Sequence, residues 1–208
     1  MKEIHNPDSP LISFLSFLSD LMILNVLTLL CCIPVLTIGP AITAMHYVLF
    51  RIRKCESGSV FKVFLYAFKN NFCQAISLWI IYLVLGIIIL IDTYLIYYGK
   101  MQLSICLRPG VYLTAVLLIM NFVWAFPLLS RFNNNIIRTI INACYLGIAR
   151  LPHTIAIVTL GVAPILLLAV CPSITPIILL VGFSLAGYLQ SFVYSLVFEK
   201  IECSVSKE

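Results

Sequence analysis

The feature that most constrains this chain is a long stretch without charge in its C-terminal half. No Asp, Glu, Lys or Arg occurs between Arg150 and Glu199. A helix needs about 20 predominantly apolar residues to cross a bilayer, so this stretch holds two transmembrane helices joined by a short turn. Inside lipid, every backbone polar group must find its partner within the protein, which only helices and closed barrels achieve. The stretch therefore predicts a helical membrane protein.

The composition of the whole chain points the same way. Hydrophobic residues make up 62% of the sequence and charged residues 10%. A soluble domain of this kind would expose far more apolar surface than water tolerates. We expect a single integral membrane domain over residues 1–208, with the lipid bilayer as its main partner. Because the basic residues sit in short loops beside apolar runs, the net charge of +5 is explained by membrane topology and predicts no nucleic-acid partner.

The apolar runs predict five or six membrane helices. The clear spans cover about residues 11–33, 72–95, 112–130, 151–170 and 174–198. Residues 35–50 form an apolar run slightly shorter than a full span, yet long enough for the return helix of a tight hairpin. The number of crossings therefore stays open at this point, and so does the side of the membrane on which the chain begins.

Two segments between the spans predict amphipathic helices on the membrane surface. Residues 61–71 place phenylalanines on one helical face and Lys62 and Lys69 on another, and isoleucines recur at helical spacing between Arg131 and Arg150. Basic residues surround both segments, so the positive-inside rule predicts that they face the cytoplasm, as does the C-terminus. The expected fold is an all-α bundle in a bacterial cytoplasmic membrane, with five to six membrane helices plus one or two cytoplasmic-surface helices.

Two prolines and a glycine interrupt the helical pattern near residue 35. The residues concerned are Pro34, Thr37, Gly39 and Pro40. Interrupted helices survive in membranes where their backbone groups meet protein or water, and transporters build substrate sites from such breaks. A plain corner between two helices is the alternative. We favour the corner, because the second half of the sequence has no matching interruption.

The first predicted span also contains two polar residues, Asp20 and Asn25. A polar group at membrane depth is costly unless it is paired, so such residues serve structure or function. Asp20 suits pairing with a basic loop residue, a position at the interface, or a relay for protons or substrate. Asn25 lies five residues further on, about 140° around the helix, so the two side chains need not share a face.

Further polar residues cluster at the predicted cytoplasmic ends of the spans. Asn71 and Gln74 lie one helical turn apart, where they suit binding of lipid headgroups or capping of neighbouring helices. Arg131 and Asn133 belong to a dense polar group after the third clear span. We interpret that group as a solvated turn and helix start, and the alternative is a binding site for a sugar or an anion.

No pattern in the sequence is typical of an enzyme. The chain lacks a Ser/His arrangement and paired carboxylates suited to general acid and base catalysis. Its eight cysteines form no CxxC pair and no spacing suited to zinc. We therefore predict neither catalytic activity, nor a cofactor, nor a metal site.

Several strings, taken in order, resemble one family. They are Leu24-Asn25, Pro34, Thr37 to Ala41, Thr43-Ala44, Phe64 to Phe72, Gln74-Ala75, Trp79, Phe126 to Leu129, Arg131-Phe132, Arg138-Thr139, Asn142-Ala143, Leu151-Pro152 and Phe198 to Lys200. Their order and spacing resemble the YesL-type family of bacterial integral membrane proteins, also described as domain of unknown function 624. The resemblance covers nearly the whole chain.

This resemblance implies a biological setting rather than a chemistry. Genes of the family commonly lie beside carbohydrate uptake systems of the ATP-binding-cassette type in Gram-positive bacteria, and the family's biochemical activity is not established. We expect an accessory or regulatory component that contacts sugar importer subunits. The alternative is an autonomous transporter or channel for a small solute, with Asp20, Asn25 and the interrupted helix along its pathway. The oligomeric state stays open.

Overall fold

The computed structural model of the protein describes residues 10–54, 56, 58–98, 108–132 and 134–205. Nearly all of these residues are helical, and none forms a β-strand. The helices are α1 (Pro10–Cys32), α2 (Ile38–Arg53), α3 (Val60–Asn70), α4 (Phe72–Tyr97), α5 (Arg108–Arg131), α6 (Ile136–Ala149), α7 (Leu151–Val170), α8 (Thr175–Ile177) and α9 (Phe183–Val205). Short 3₁₀ turns, Val35–Thr37 and Pro172–Ile174, follow α1 and α7, and a π-helical segment, Ile178–Gly182, joins α8 to α9.

Six stretches of the described chain are long and apolar enough to cross a bilayer. They are Leu11–Cys32, Val35–Arg53, Phe72–Tyr97, Arg108–Arg131, Leu151–Val170 and Thr175–Lys200. The predicted all-α membrane bundle is thus confirmed. The segment whose crossing the sequence left open is one of the six, because the helix after the corner continues to Arg53 rather than ending at residue 50 and so has the length of a full span.

Most of the described lysines and arginines lie at one end of the bundle, which we call the basic end. They are Arg51, Arg53, Lys54, Lys62, Lys69, Arg131, Arg138, Arg150 and Lys200. Two arginines tie the helix ends together there. The Arg53 guanidinium lies 3.2 Å from a carboxylate oxygen of Glu199, and the Arg131 guanidinium stacks 5.6 Å from the ring centre of Phe198.

Two clusters of buried side chains hold the bundle together. The larger cluster joins α2, α4, α5, α6, α7 and α9 around the aromatic residues Trp124, Phe126, Tyr194 and Phe198. The smaller cluster joins the α1–α2 hairpin to α3. Within α3, Val60, Phe64 and Ala67 are buried while Lys62 and Lys69 are exposed. The predicted amphipathic character of residues 61–71 is therefore present in α3.

Helix α6 is the second segment that the sequence predicted as an amphipathic surface helix. It packs lengthwise on α5 through Thr139, Ala143, Leu146 and Gly147, and Gly147 approaches the backbone of Met120. Small residues on the buried face let the two helix backbones come close. The outward face carries exposed apolar side chains, which are Ile137, Ile141, Tyr145 and Ile148. Such a face suits lipid acyl chains rather than water.

The backbone of α2 comes close to α4 at Gly39. A Cβ atom added there would lie 2.6 Å from the carbonyl oxygen of Ala75 and 2.7 Å from the Cβ of Trp79. Both atoms belong to the rigid part of α4, so neither can move aside without shifting the helix. Gly39 is therefore what allows α2 to rest directly on α4.

We predict that Gly39→Ala lowers the free energy of unfolding by about 1–3 kcal/mol, because the added methyl group overpacks this contact. Thermal unfolding of the purified protein in detergent measures the loss. Gly86→Ala is the matched control, since nothing lies within 4 Å of the Cβ position at Gly86 on α4. Equal unfolding midpoints for the two variants would contradict the role assigned to Gly39.

Candidate functional site

The interrupted segment forms a corner between α1 and α2. The hydroxyl of Thr37 lies 2.6 Å from the carbonyl oxygen of Cys31 and 2.8 Å from that of Pro34, so it serves the carbonyls at the end of α1. Pro34 is exposed at the turn, whereas Gly39 and Pro40 are buried at the start of α2. The structure thus has the corner that the sequence favoured, and these residues satisfy and pack its backbone.

Asn25 is fully buried and fastens α1 to the last membrane helix. Its Nδ2 donates a hydrogen bond to the carbonyl oxygen of Leu179 at 2.6 Å, and its Oδ1 accepts one from the amide of Ser184 at 2.9 Å. The Ser184 hydroxyl in turn donates to the carbonyl of Leu21 at 2.7 Å. We call Asn25, Leu179 and Ser184 the Asn25 clasp.

The clasp coincides with the π-helical segment Ile178–Gly182. Leu179 and Ser184 are five residues apart, and the carboxamide of Asn25 spans their backbone groups. Irregular turns inside membrane helices need such partners, because lipid offers none. The described contacts of Asn25 therefore stabilise the irregular turn and hold α1 against it.

Asp20 lies apart from the clasp. Its side chain is half-buried and makes no hydrogen bond or ion pair with any residue that the structure describes. At 1.5 Å per residue it is roughly 18 Å along α1 from Cys32, while the helix from the corner to Arg53 runs roughly 28 Å. Asp20 is therefore nearer to the basic end than to the corner.

Two polar segments that are distant in sequence meet at the basic end and form a cleft of about 620 Å³, which we call the polar cleft. The junction of α3 and α4 contributes Lys69, Asn70, Asn71, Cys73 and Gln74, and the start of α6 contributes Asn134, Asn135 and Arg138. A cleft of this size is within the range of small-molecule sites.

Two helices begin at the polar cleft. Asn71 precedes α4 and Asn135 precedes α6, and neither side chain caps the helix that follows it. The Nδ2 of Asn71 instead donates to the carbonyl oxygen of Ala67 at the end of α3, at 3.1 Å. The first amide groups of an α-helix have no partner within the helix, and they favour anions.

The polar cleft carries positive charge. Lys69 and Arg138 are its charged lining residues, and no acidic side chain lines it. Neither cation forms an ion pair with a described residue, whereas at the same end of the bundle Arg51 lies 2.7 Å from Glu56. Concave surfaces lined by one sign of charge concentrate ligands of the opposite sign.

The structure brings together some of the site residues predicted from sequence. Asn71 and Gln74 line the polar cleft. Arg131 does not, because its guanidinium stacks over the rings of Phe50 and Phe198. Asn133 lies outside the described residues, although Asn134 and Asn135 beside it line the cleft.

Sequence reasoning missed the two cleft cations as a pair. Lys69 lies two residues before Asn71, and Arg138 lies three residues after Asn135. The sequence did show a basic residue close to each of two helix starts, and this pattern could have indicated the pair. What was absent was any indication that the two helix starts meet in space.

Other polar residues of the bundle interior pair between helices. The hydroxyl of Tyr82 donates to Oδ1 of Asn121, whose Nδ2 donates to the carbonyl oxygen of Ile140 at 3.0 Å. The indole of Trp124 donates to the hydroxyl of Thr154 at 2.9 Å. Hydrogen bonds of this kind hold membrane helices together.

We predict that Asn25→Leu lowers the free energy of unfolding by about 1–3 kcal/mol, because it removes the partner of two backbone groups while keeping the branched shape of the side chain. Chemical unfolding in detergent measures the change. Thr28→Val is the matched control, since the buried Thr28 hydroxyl bonds only the carbonyl of Leu24 in its own helix. If both variants unfold alike, the clasp does not fasten α1.

Comparison with known proteins places the chain in a family. The family described as "Protein of unknown function, DUF624" matches residues 21–93, which include Asn25, the corner and one side of the polar cleft. The chain is also similar to "Uncharacterized protein YteU" of Bacillus subtilis (strain 168), with 30% identity over 166 residues that cover 79% of this chain and 73% of that protein. No solved structure matches the chain. Because the similarity extends over most of both sequences, the protein belongs to the DUF624 family of proteins of unknown function.

Proposed function

We propose that this membrane protein is a non-enzymatic accessory or regulatory component of a carbohydrate uptake system of the ATP-binding-cassette type in a Gram-positive bacterium. One observation carries the proposal, namely the concentration of polar recognition groups at the basic end. That end holds the polar cleft and the amphipathic helix α3. The resemblance to YesL-type proteins supports the choice of a sugar importer as partner, and we assign the chain to that type within its family.

The packing inside the bundle supports an accessory role over a conduit. Trp124, Phe126, Tyr194 and Phe198 are almost completely buried and fill the space between α2, α5 and α9. Tyr194 and Phe198 stack on each other, and Trp124 packs edge-on against both rings. An interior filled by packed aromatic rings leaves little room for a pathway through the bundle. It favours a rigid scaffold whose surface contacts a partner protein.

The basic end is inferred to face the cytoplasm, with the C-terminus on the same side. Loops rich in lysine and arginine remain on the cytoplasmic side of a membrane during insertion. The ATPase subunits of an importer of this type also work on that side. The exposed face of α3, which carries Lys62 and Lys69, therefore lies where such subunits are within reach.

An autonomous transporter or channel is the second candidate, and Asp20 is the observation that favours it. A half-buried carboxyl group inside a span, without a described partner, suits a relay for protons or substrate. Asn25 and Thr37, which shared the predicted pathway, are occupied by the clasp and the corner. Asp20 alone therefore carries this candidate.

The inferred orientation predicts the behaviour of two fusions to the C-terminus of the full chain. A green fluorescent protein fusion is expected to fluoresce, since that protein matures in the cytoplasm, and an alkaline phosphatase fusion is expected to be inactive. Whole-cell fluorescence and phosphatase activity, normalised to the amount of fusion protein, provide the measurement. An active phosphatase with a dark fluorescent fusion would reverse the orientation.

Site-specific photo-crosslinking in native membranes tests the proposed partner. A crosslinking amino acid at Tyr66, on the exposed face of α3, is expected to capture an importer ATPase subunit. The same amino acid at Tyr97, exposed at the opposite end of α4, is the matched control and should not capture it.

Equal capture of the ATPase from both positions would contradict a specific contact at the basic end. Capture of this chain alone from both positions would contradict the accessory role. A solute flux into vesicles that hold only the purified protein, abolished by Asp20→Asn, would then favour the transporter.

A further inference from the structure

We propose that the polar cleft binds a phosphorylated polyol, with the phosphate group held between Lys69 and Arg138. Nothing in the family description or in the similar protein assigns a ligand to these residues. The inference does not rest on the importer as a partner. It rests on the chemistry of the cleft alone.

The cations indicate an anionic ligand. Lys69 comes from the last turn of α3 and Arg138 from the first turn of α6, so the fold brings two positive groups from separate helices to one concavity. No described acidic residue pairs with either of them. Arginine binds phosphate oxygens through its planar fork and lysine binds them as a compact charge. Two unneutralised cations without an acid in the lining exclude a divalent cation as the ligand.

The helix starts add to this preference. α6 begins directly after Asn135, whose backbone is extended and whose side chain does not cap the helix. The amide groups of the first turn therefore keep their hydrogen-bonding capacity for an outside partner. A phosphate in the cleft would meet these amides as well as the two side-chain cations.

The remaining lining indicates a ligand rich in hydroxyl groups. Carboxamide side chains line the cleft from both segments, among them Gln74 and Asn134. Each carboxamide offers both donors and an acceptor, which is what neighbouring hydroxyl groups of a polyol require. The side chains of Gln74 and Asn134 make no hydrogen bond with any residue that the structure describes, so they have this capacity available.

Two sources supply this chemistry at the end of a membrane bundle. One is the glycerol phosphate headgroup of phosphatidylglycerol in the surrounding leaflet. The other is a soluble sugar phosphate in the adjoining aqueous phase. Both present a phosphate joined to a polyol, and the experiment separates them by testing each source on its own.

The test compares three forms of the full-length protein in detergent. They are the wild type, the double variant Lys69→Gln/Arg138→Gln, and the control Lys54→Gln/Lys62→Gln, which removes the same charge from the basic end without touching the cleft. All four residues are exposed, so folding is expected to persist, and unfolding midpoints without ligand verify it. Native mass spectrometry measures retention of phosphatidylglycerol against phosphatidylcholine, and calorimetric titration measures binding of glucose 6-phosphate against glucose.

The expected result is preferential binding of at least one phosphorylated probe by the wild type and the control, weakened about tenfold or more in the cleft variant. Loss confined to phosphatidylglycerol identifies the lipid source, and loss confined to glucose 6-phosphate identifies the soluble source. The proposal is overturned if phosphatidylglycerol binds no better than zwitterionic phosphatidylcholine and glucose 6-phosphate binds no better than glucose. It is likewise overturned if the control weakens binding as much as the cleft variant, because general surface charge then explains the effect.

A third variant, Gln74→Ala, tests the polyol part of the proposal. Gln74→Ala is expected to weaken binding of the phosphorylated polyol several-fold while leaving binding of inorganic phosphate unchanged, since the lost carboxamide contacts hydroxyl groups and not the phosphate. Equal binding of the polyol phosphate by this variant and the wild type would remove the polyol from the proposal and leave a simple phosphate site.

Discussion

The structure depends on one constraint, which is that lipid offers no partner to a backbone amide or carbonyl group. Continuous helices meet this requirement along most of each span. Two of the departures from regular helix in the described chain each have a polar side chain that bonds the irregular backbone. Thr37 serves the carbonyls at the corner after α1, and Asn25 serves the irregular turn before α9. Asn25 and Thr37 thus lie where the backbone lacks a partner within a regular helix.

At the basic end, contacts of two arginines hold the ends of α2, α5 and α9 together. Arg53 donates to the carbonyl oxygen of Ser191 at 3.0 Å, approaches Glu199, and lies 5.2 Å from the ring centre of Phe192. One guanidinium therefore links the end of α2 to residues that lie about two turns apart on α9. With α2 and α9 joined, and α5 anchored between them through Arg131, the ends of the helices form a stable platform. The polar cleft sits at the edge of that platform.

Hydropathy predicted the spans well because the thickness of the bilayer fixes helix length independently of how helices pack. The predicted limits 151–170 coincide with α7, and the other limits differ by up to seven residues at helix ends. Only one side of the polar cleft was predicted from the sequence. Asn71 and Gln74 were recognised as polar residues at a span end, but their meeting with Arg138 is a tertiary contact between segments more than 60 residues apart. The outward apolar face of α6 also depends on packing, because small residues direct its other face onto α5.

The π-helical segment has a geometric consequence for everything that follows it. A π turn contains one residue more than an α turn, so Ile178–Gly182 sets the rotational phase of α9. Removing a single residue there would turn the rest of the helix by about 100° and shorten it by about 1.5 Å. Gln190 would then point away from the carbonyl of Ile157, and Tyr194 away from that of Val123, contacts now made at 2.9 and 2.8 Å. The number of residues in this segment therefore fixes which face of α9 meets the bundle. An insertion or deletion there would disturb the packing more than a replacement of one apolar side chain by another.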